Sequence, residues 1–310
     1  VAEALGRMGK PDALEVLQQL AADPAPEVRA QALRAMRDIL PPKTPVRVTL
    51  TVPGEPDALR LAALSAAARV LFAQRDALLD EAFRNGAPAE RALAVEALAL
   101  DAPARRRALL LPAAREGDAV SRAAALRALD DPKDAEAVAL LRTALAERTA
   151  PNAFLVRAAS AATLGRLKLS GPELRAAAGD EHFMVRREAL TACAAASDSE
   201  ARPVAQARAT DSDYTVRRAA CAAMGALPEK SSAPILALRL ADEMTEVRDA
   251  AQKALLCLNA AESWNALMPH IEHKDTNARR RVWSVLGEYA QPPTADAALA
   301  HLKDADGWVA

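Results

Sequence analysis

Residues 211–227 contain a pattern that returns along the whole chain. An apolar anchor, Val216, is followed by Arg217, and a small residue, Ala220, lies four positions after the anchor. The corresponding anchors elsewhere are Val28, Leu59, Glu90, Ser121, Val156, Val185, Val247, Ala278 and Val309. Seven of the nine gaps between neighbouring anchors are 31 residues long. A fixed period of this length predicts stacked structural repeats.

Each repeat has the pattern of two helices. Leu14, Leu17 and Leu20 fall on one face of a first helix, and Asp23-Pro24 ends it before the second helix anchored at Val28. Further first helices are predicted at 75–83, 105–114, 134–146, 173–178, 200–209, 233–241, 262–271 and 294–302. Because 51% of the residues are hydrophobic but only 3% are aromatic, the core must consist of small aliphatic side chains, which favours closely packed helices.

We therefore predict an all-α fold, a right-handed α-solenoid (superhelix) of about nine helical-hairpin repeats. The unbroken period predicts a single array over residues 1–310. Val1 aligns with the middle of a second helix and the last anchor, Val309, is followed by one residue. We therefore expect the array to be truncated at both ends and to belong to a longer polypeptide.

The second helix carries three recurrent columns of residues. Aspartate often precedes the anchor by five positions, where it can accept hydrogen bonds from backbone N–H groups. Small residues occupy the fourth position after the anchor, where neighbouring helices should touch, and Gly165, Gly225 and Gly287 stand where a left-handed helix end is expected. The arginine after the anchor would suit either an anionic partner or packing between repeats; its presence in every complete copy favours packing.

The motif Asp-x-x-x-x-Val-Arg-x-x-Ala in a helical pair of this length resembles the HEAT repeat, particularly the short bacterial variety also found in phycobilisome lyases. The resemblance is strongest over 180–310 and looser over 54–160. It implies a hydrogen-bonded ladder between adjacent repeats that is formed by Asp23, Arg29, Asp180, Arg186, Asp211, Arg217, Asp242 and Arg248. At His273 the aspartate is missing, so the ladder is not expected there.

Residues 41–56 interrupt the scheme where a first helix is due. Five of the 20 prolines lie there, around an alternating segment from Val46 to Val52 that has the pattern of a strand. One interpretation is an extended loop along the surface. The other is a docking strand, with Val46, Val48, Leu50 and Val52 as candidate residues that pair with another protein or domain.

The sequence offers no recognisable catalytic, cofactor-binding or metal-binding motif. A phosphate-binding glycine loop, His-Glu-x-x-His and Gly-x-Ser-x-Gly are absent, as is the His-Glu dipeptide with which deoxyhypusine hydroxylases of the same architecture hold iron. His270, His273 and His301 could gather around a metal, but solvated helix ends explain them better. We expect no enzyme activity, no cofactor and no metal site.

Composition limits the partners. With 40 basic and 41 acidic residues the chain shows no overall preference for nucleic acid, and no run of apolar residues is long enough to span a bilayer. Three cysteines at helical core positions favour free thiols and a reducing compartment such as the cytoplasm.

We therefore expect a non-catalytic scaffold that binds a protein partner or other domains of the same polypeptide. The alternatives are a bilin-lyase-like or other accessory subunit or chaperone, and a nucleic-acid-binding solenoid that uses Arg279–Arg281. Within residues 211–227 only Tyr214 and Arg218 depart from the shared pattern. The candidate partner-binding residues on second helices are Arg187, Arg218, Lys253, Arg280 and Arg281.

Overall fold

The computed structural model describes residues 2, 13–51 and 54–289, and within them it forms two compact units. The first unit runs to Asp130 and includes Ala150–Asn152; the second comprises Asp131–Thr149 and the chain from Ala153 onward. The prediction of one continuous array stays a prediction. Among the described residues no helix combines the length and apolar character that a membrane crossing requires.

Helices dominate both units, as the sequence predicts. The elements of the first unit are α1 (Leu14–Leu20), α2 (Pro26–Ile39), β1 (Thr44–Pro45), α3 (Asp57–Ala67), β2 (Val70–Leu71), α4 (Arg75–Asn85), α5 (Pro88–Ala97), α6 (Pro103–Arg115) and α7 (Ala119–Ala128). Those of the second unit are α8 (Ala135–Leu145), α9 (Ala153–Arg166), α10 (Pro172–Ala177), α11 (Phe183–Ala195), α12 (Arg202–Arg208), α13 (Tyr214–Ala226), α14 (Ala233–Arg239), α15 (Thr245–Leu256), α16 (Ala260–Leu267) and α17 (Thr276–Glu288). Short 3₁₀ turns lie at Leu98–Leu100, Ser199–Ala201, Lys230–Ser232 and Met268–His270.

Every described anchor lies on a helix, and these second helices are α2, α3, α5, α7, α9, α11, α13, α15 and α17. In the second unit, the most extensive contacts between helices join α9, α11, α13 and α15 in succession. The predicted first helix at 294–302 and the anchor Val309 lie outside the described residues.

The column four positions after the anchor is fully buried. Its members are Ala32, Ala63, Ala94, Ala125, Ser160, Ala189, Ala220, Ala251 and Val282, each with 0% exposure. Small side chains at this position let successive second helices approach closely and bury the aliphatic residues beside them. The contact that the sequence predicts for this column is confirmed.

Two of the predicted glycines, Gly165 and Gly225, also allow neighbouring second helices to approach closely. Gly165, Gly225 and Gly287 lie inside α9, α13 and α17, so the prediction that they end these helices in a left-handed conformation is wrong. A Cβ added at Gly165 would lie 2.5 Å from Cα of Ala192 on α11, and one at Gly225 would lie 2.9 Å from Cα of Ala254 on α15. The left-handed residue after α9 is instead Lys168, with φ of 56°.

The proline-rich segment turns inward. The short strand β1 pairs in parallel with β2, and beyond it N–H of Val46 donates to the carbonyl of Leu71 at 2.8 Å. Val46, Val48 and Leu50 are only 7–9% exposed, whereas the residues between them are exposed. The alternation is as predicted.

The apolar face of this segment is nevertheless buried in its own unit. The side chains of Val46, Val48 and Leu50 therefore pack within the chain and do not offer an apolar face to a partner. Pairing of their backbone with an external strand stays a prediction. No first helix lies in the described chain between α2 and α3, so the apolar side chains of this segment take the place that a first helix would fill. Val52 lies outside the described residues.

Replacement of Gly165 by alanine tests the close approach between α9 and α11. We expect Gly165→Ala to lower the free energy of unfolding by about 1–3 kcal/mol, because its Cβ would overlap the backbone of α11. Gly287→Ala is the matched control, since in the described part of the chain no atom lies within 4 Å of its Cβ. It should be neutral or stabilising by up to about 1 kcal/mol. Urea unfolding measures both, and equal losses would contradict the packing role.

Candidate functional site

The recurrent arginines and aspartates form a ladder between successive second helices. The guanidinium groups of Arg157, Arg186 and Arg217 each donate two hydrogen bonds, from Nε and Nη2, to the carboxylate of the following repeat at 2.7–2.9 Å. The acceptors are Asp180, Asp211 and Asp242. All six side chains are almost completely buried. The ladder that the sequence resemblance implies is confirmed here, with Arg157 as an additional member.

Each ladder residue also organises its own loop. Nη1 of Arg186 and of Arg217 donates at 2.9 Å to the backbone carbonyl six residues earlier, which belongs to the ladder aspartate of the same repeat. The aspartate accepts in turn from the backbone N–H two residues later, as Asp211 does from Asp213 at 3.0 Å. One arginine therefore fixes the loop of its own repeat and the position of the next.

The ladder changes at both ends. Arg248 and Arg279 keep the bonds to their own loop carbonyls, at 2.7 and 2.9 Å, but the position that faces Arg248 is His273. The contact between α15 and α17 is correspondingly less extensive than the contacts before it. Arg29 bonds to the carbonyl of Asp23 and reaches Glu55 at 2.9 Å.

In the first unit, carboxylates from different register positions take the place of the missing aspartates. Arg60 donates from Nε and Nη2 to Glu90 at 2.8 and 2.6 Å, and Arg91 lies 3.6 Å from Asp118. Glu90 is itself an anchor residue and is 5% exposed. The arginine column is thus a structural framework in both units.

The ladder perturbs the acidity of its carboxylates. Burial alone would raise the pKa of Asp211, but hydrogen bonds from Arg186 and from the backbone of Asp213 outweigh it and lower the pKa below its usual range. The pKa values of Asp180 and Asp242 are lowered for the same reasons by Arg157 and Arg217.

Three of the predicted partner-binding residues line one groove. The groove has a volume of about 930 Å³ and lies on α11, α13 and α15, entirely within the second unit. Arg187, Arg218 and Lys253 line it, together with Glu188, Thr191, Ala219, Ala222, Gly225, Ala226, Glu246, Asp249, Ala250, Ala254 and Cys257. We call this surface the second-helix groove. Its walls combine small residues with charged ones.

The charges of the groove are balanced but not all are paired. Three lining residues are basic and three are acidic. Arg187 bonds to Glu188 at 2.6 Å, and Asp249 pairs with Arg281 at 2.7 Å. Arg218 and Lys253 are exposed, and their side chains have no hydrogen-bond or ionic partner within residues 13–51 and 54–289. They are therefore available to a ligand.

The remaining predicted residues lie elsewhere. Arg281 reaches back from α17 to Asp249 and, at 2.8 Å, to Oε1 of Gln252, so it supports the groove without lining it. Arg279 donates to the carbonyl of His273. Together with Arg280, which also interacts within the chain, these arginines do not form a free basic track.

The histidines and cysteines do not assemble a reactive centre in the described residues. No three His, Cys, Asp and Glu side chains there could hold a metal ion together. Nδ1 of His273 accepts from the backbone of Asp275 at 3.1 Å, so this histidine closes its loop as the ladder aspartates do. His301 lies outside the described residues.

All three cysteines are free, as expected. Burial raises the pKa of Cys193 to about 11 and that of Cys221 to about 12. Cys257 is exposed, because it lies just beyond the end of α15, so its predicted core position is wrong.

The sequence did not identify Ala222, Gly225 and Ala226 as groove residues, because alanine and glycine occur in both buried and exposed positions of a helix. It also missed Phe183, which is 37% exposed. A signal existed: Phe154, Phe183 and Tyr214 each precede an anchor by two positions in three consecutive repeats.

Comparisons with known proteins agree with this architecture. Residues 1–68 and 171–256 match the family model described as HEAT repeats. A chain of the Kap95:Nup1 complex is similar in structure, with a TM-score of 0.56 and 14% sequence identity over 96% of this chain and 48% of that one. A chain of the Kap121p crystal structure has a TM-score of 0.50 and 12% sequence identity over 95% of this chain and 40% of that one.

The protein thus spans less than half the length of these two structures, and at such identity the likeness shows the fold alone. No curated protein matches the chain in sequence. The similarity to phycobilisome lyases stays a prediction.

Loss of one ladder carboxylate should weaken the stack strongly. Asp211→Ala leaves the guanidinium of Arg186 buried without its ionic partner, so we expect a loss of about 3 kcal/mol in the free energy of unfolding. Asp249→Ala is the control, because it breaks the pair with Arg281 at a carboxylate that is 50% exposed, and it should cost less than about 1 kcal/mol. Denaturant unfolding of both variants makes the comparison, and similar losses would refute the framework role.

The lowered pKa values predict a loss of stability in acid. A carboxyl group with a lower pKa in the folded state stabilises the protein above the unfolded value of about 4, and this contribution is lost as the pH falls through the folded pKa. The free energy of unfolding should therefore decrease between about pH 5 and pH 2. The Asp211→Asn/Asp242→Asn variant, measured in parallel by circular dichroism, should show a shallower decrease; an unchanged slope would contradict the assignment.

Proposed function

We propose that this chain, which belongs to the HEAT-repeat proteins, is a non-catalytic scaffold that binds a protein partner in the second-helix groove. One observation supports the proposal most strongly. The groove is lined by positions that differ between three consecutive repeats, whereas the framework positions on the same helices are nearly identical. Recognition of a particular partner needs varied side chains on a rigid frame.

The chemistry of the groove suits a polypeptide better than a nucleic acid. Balanced charges give no extended positive potential for phosphates, and most of the arginines predicted to form a basic track are held within the chain. Exposed Arg218 and Lys253 beside Ala222 and Ala226 offer ionic and apolar contacts together, as protein interfaces do. Among the proteins of similar fold, Kap95 occurs in a complex with Nup1.

Site-specific photo-crosslinking tests the proposal. A photoreactive residue at Ala222, which is exposed in the groove, should yield a defined crosslinked protein from the native host extract. The same residue at Lys230, exposed in a 3₁₀ turn outside the groove, is the positional control. Mass spectrometry identifies the product.

A charge-reversal series decides whether the product depends on the groove. Arg218→Glu/Lys253→Glu should reduce the crosslinked product at least about fivefold, because both cations lack partners in the described chain. Lys168→Glu/Lys230→Glu changes the net charge equally at exposed sites elsewhere and should leave the yield unchanged. Equal yields from Ala222 and Lys230, or no effect of the groove variant, would overturn the proposal.

A further inference from the structure

Aromatic rings recur at one end of the second helices in the second unit. Phe154, Phe183 and Tyr214 occupy the same register position, two residues before the anchors of α9, α11 and α13. The ring of His182 stacks on Phe154, with centroids 3.8 Å apart, and contacts Phe183 with centroids 4.9 Å apart. We call these four side chains the aromatic row.

The row is accessible, and it adjoins the second-helix groove without lining it, because Phe183 and Tyr214 lie four residues before Arg187 and Arg218 on α11 and α13. Phe183 is 37% exposed and Tyr214 is 38% exposed, and they are the most exposed aromatic residues among those the structure describes. The chain has only nine Phe, Trp and Tyr residues, so three at one register position in adjacent repeats is a marked concentration. None of the four rings lines the groove.

Hydrogen-bond donors accompany the rings. Nδ1 of His182 accepts from the backbone N–H of Met184, so the neutral imidazole carries its proton on Nε2. Neither that Nε2 nor the hydroxyl of Tyr214 has a partner within residues 13–51 and 54–289. Because His182 is stacked between Phe154 and Phe183, these rings turn mainly their edges outward. The row therefore presents apolar ring surface and two donors, and a suitable ligand must offer apolar surface together with unpaired acceptors.

Two exposed acidic side chains lie in the loops at this end of the second helices. Glu181 and Glu243 lie in the loops before α11 and α15, with side chains 75% and 78% exposed. Each uses one carboxylate oxygen to meet a ladder arginine, at 3.2 Å for Arg157 and 3.0 Å for Arg217. Their outward positions leave them able to attract a cationic side chain of a partner.

We infer that the aromatic row binds a proline-rich segment that carries lysine or arginine. A polyproline II helix has no internal hydrogen bonds, so its carbonyl groups are free to accept from Nε2 of His182 and the hydroxyl of Tyr214, and proline rings pack on exposed aromatic side chains such as Phe183 and Tyr214. It repeats every three residues, or about 9.3 Å, close to the 8–10 Å between the axes of packed helices, which sets the spacing of equivalent positions such as those of Phe183 and Tyr214. Glu181 and Glu243 complement its basic residues.

A fluorescence-anisotropy titration tests the inference. The probe is a labelled peptide of about nine prolines followed by two arginines, and the reference peptide replaces the prolines by alternating glycine and serine. The proline peptide should bind at least about tenfold more tightly than the reference, because the reference lacks both the ring packing and the preformed helix. Equal affinity for the two peptides would overturn the inference.

Variants locate the binding. Phe183→Ala/Tyr214→Ala should weaken it at least about tenfold, and Tyr214→Phe, which removes only the donor, about fivefold. Leu238→Ala is the control, since Leu238 is 53% exposed on α14 in the same unit, and it should have no effect. Circular dichroism confirms that each variant is folded. Unchanged affinity in the Phe183→Ala/Tyr214→Ala variant would overturn the assignment.

Two further measurements separate this site from the groove. Glu181→Gln/Glu243→Gln should weaken binding and reduce its dependence on salt, because the ionic contribution is removed. Lys253→Glu, which reverses a groove charge about two helical turns beyond the register of the rings, should leave the affinity for the peptide unchanged. Failure of the groove as a binding site would therefore leave this inference standing, and the reverse is equally true.

Discussion

The stack depends on a single guanidinium group that bonds in two directions. In Arg186 and Arg217, Nη1 holds the loop of the arginine's own repeat, while Nε and Nη2 hold the carboxylate of the next. The planar, forked geometry of arginine allows both at once, and lysine would not reproduce it. The bond fixes the distance and register between two helices, which in turn permits the fully buried alanine column and the close glycine contacts.

The same constraint determines where recognition can occur. The anchor, the arginine and the small residue are committed to neighbouring repeats, so they cannot vary without cost to the stack. The positions two, three and six after the anchor and two before it are not so committed. Most residues of the second-helix groove and three of the four in the aromatic row occupy these positions, and both surfaces lie where the ladder is most regular, along α9 to α15. Regular stacking supplies the rigid frame that selective contacts need.

Most of the fold could be predicted from sequence because the pattern is local. The period, the helix pairs and the buried column all follow from spacing. An arginine at the position of Arg217 in every complete copy indicates a contact between repeats. The direction of that contact, from Arg186 forward to Asp211, was not in the pattern itself. Nor could the spacing show that Glu90, an anchor, accepts from Arg60 in place of the missing aspartate. Such substitutions depend on side-chain reach in three dimensions.

The errors have a common physical origin as well. Gly165 was expected to end a helix, but its role is set by the neighbouring helix, which no single-repeat pattern describes. The alternation at residues 46–51 correctly indicated one apolar face, yet a period of two cannot say whether that face meets another protein or the same chain. Tyr214 and Arg218 were recognised as departures from the repeat, and the structure assigns them to the aromatic row and to the groove.

The central claim is that the ladder couples adjacent repeats energetically, and a double-mutant cycle between Arg186 and Asp211 tests it most directly. The free energy of unfolding is measured for the wild type, Arg186→Ala, Asp211→Ala and the double variant. We predict a coupling energy of about 2 kcal/mol or more, with the double variant losing much less than the sum of the two single losses. Additive losses within about 0.5 kcal/mol would contradict the account.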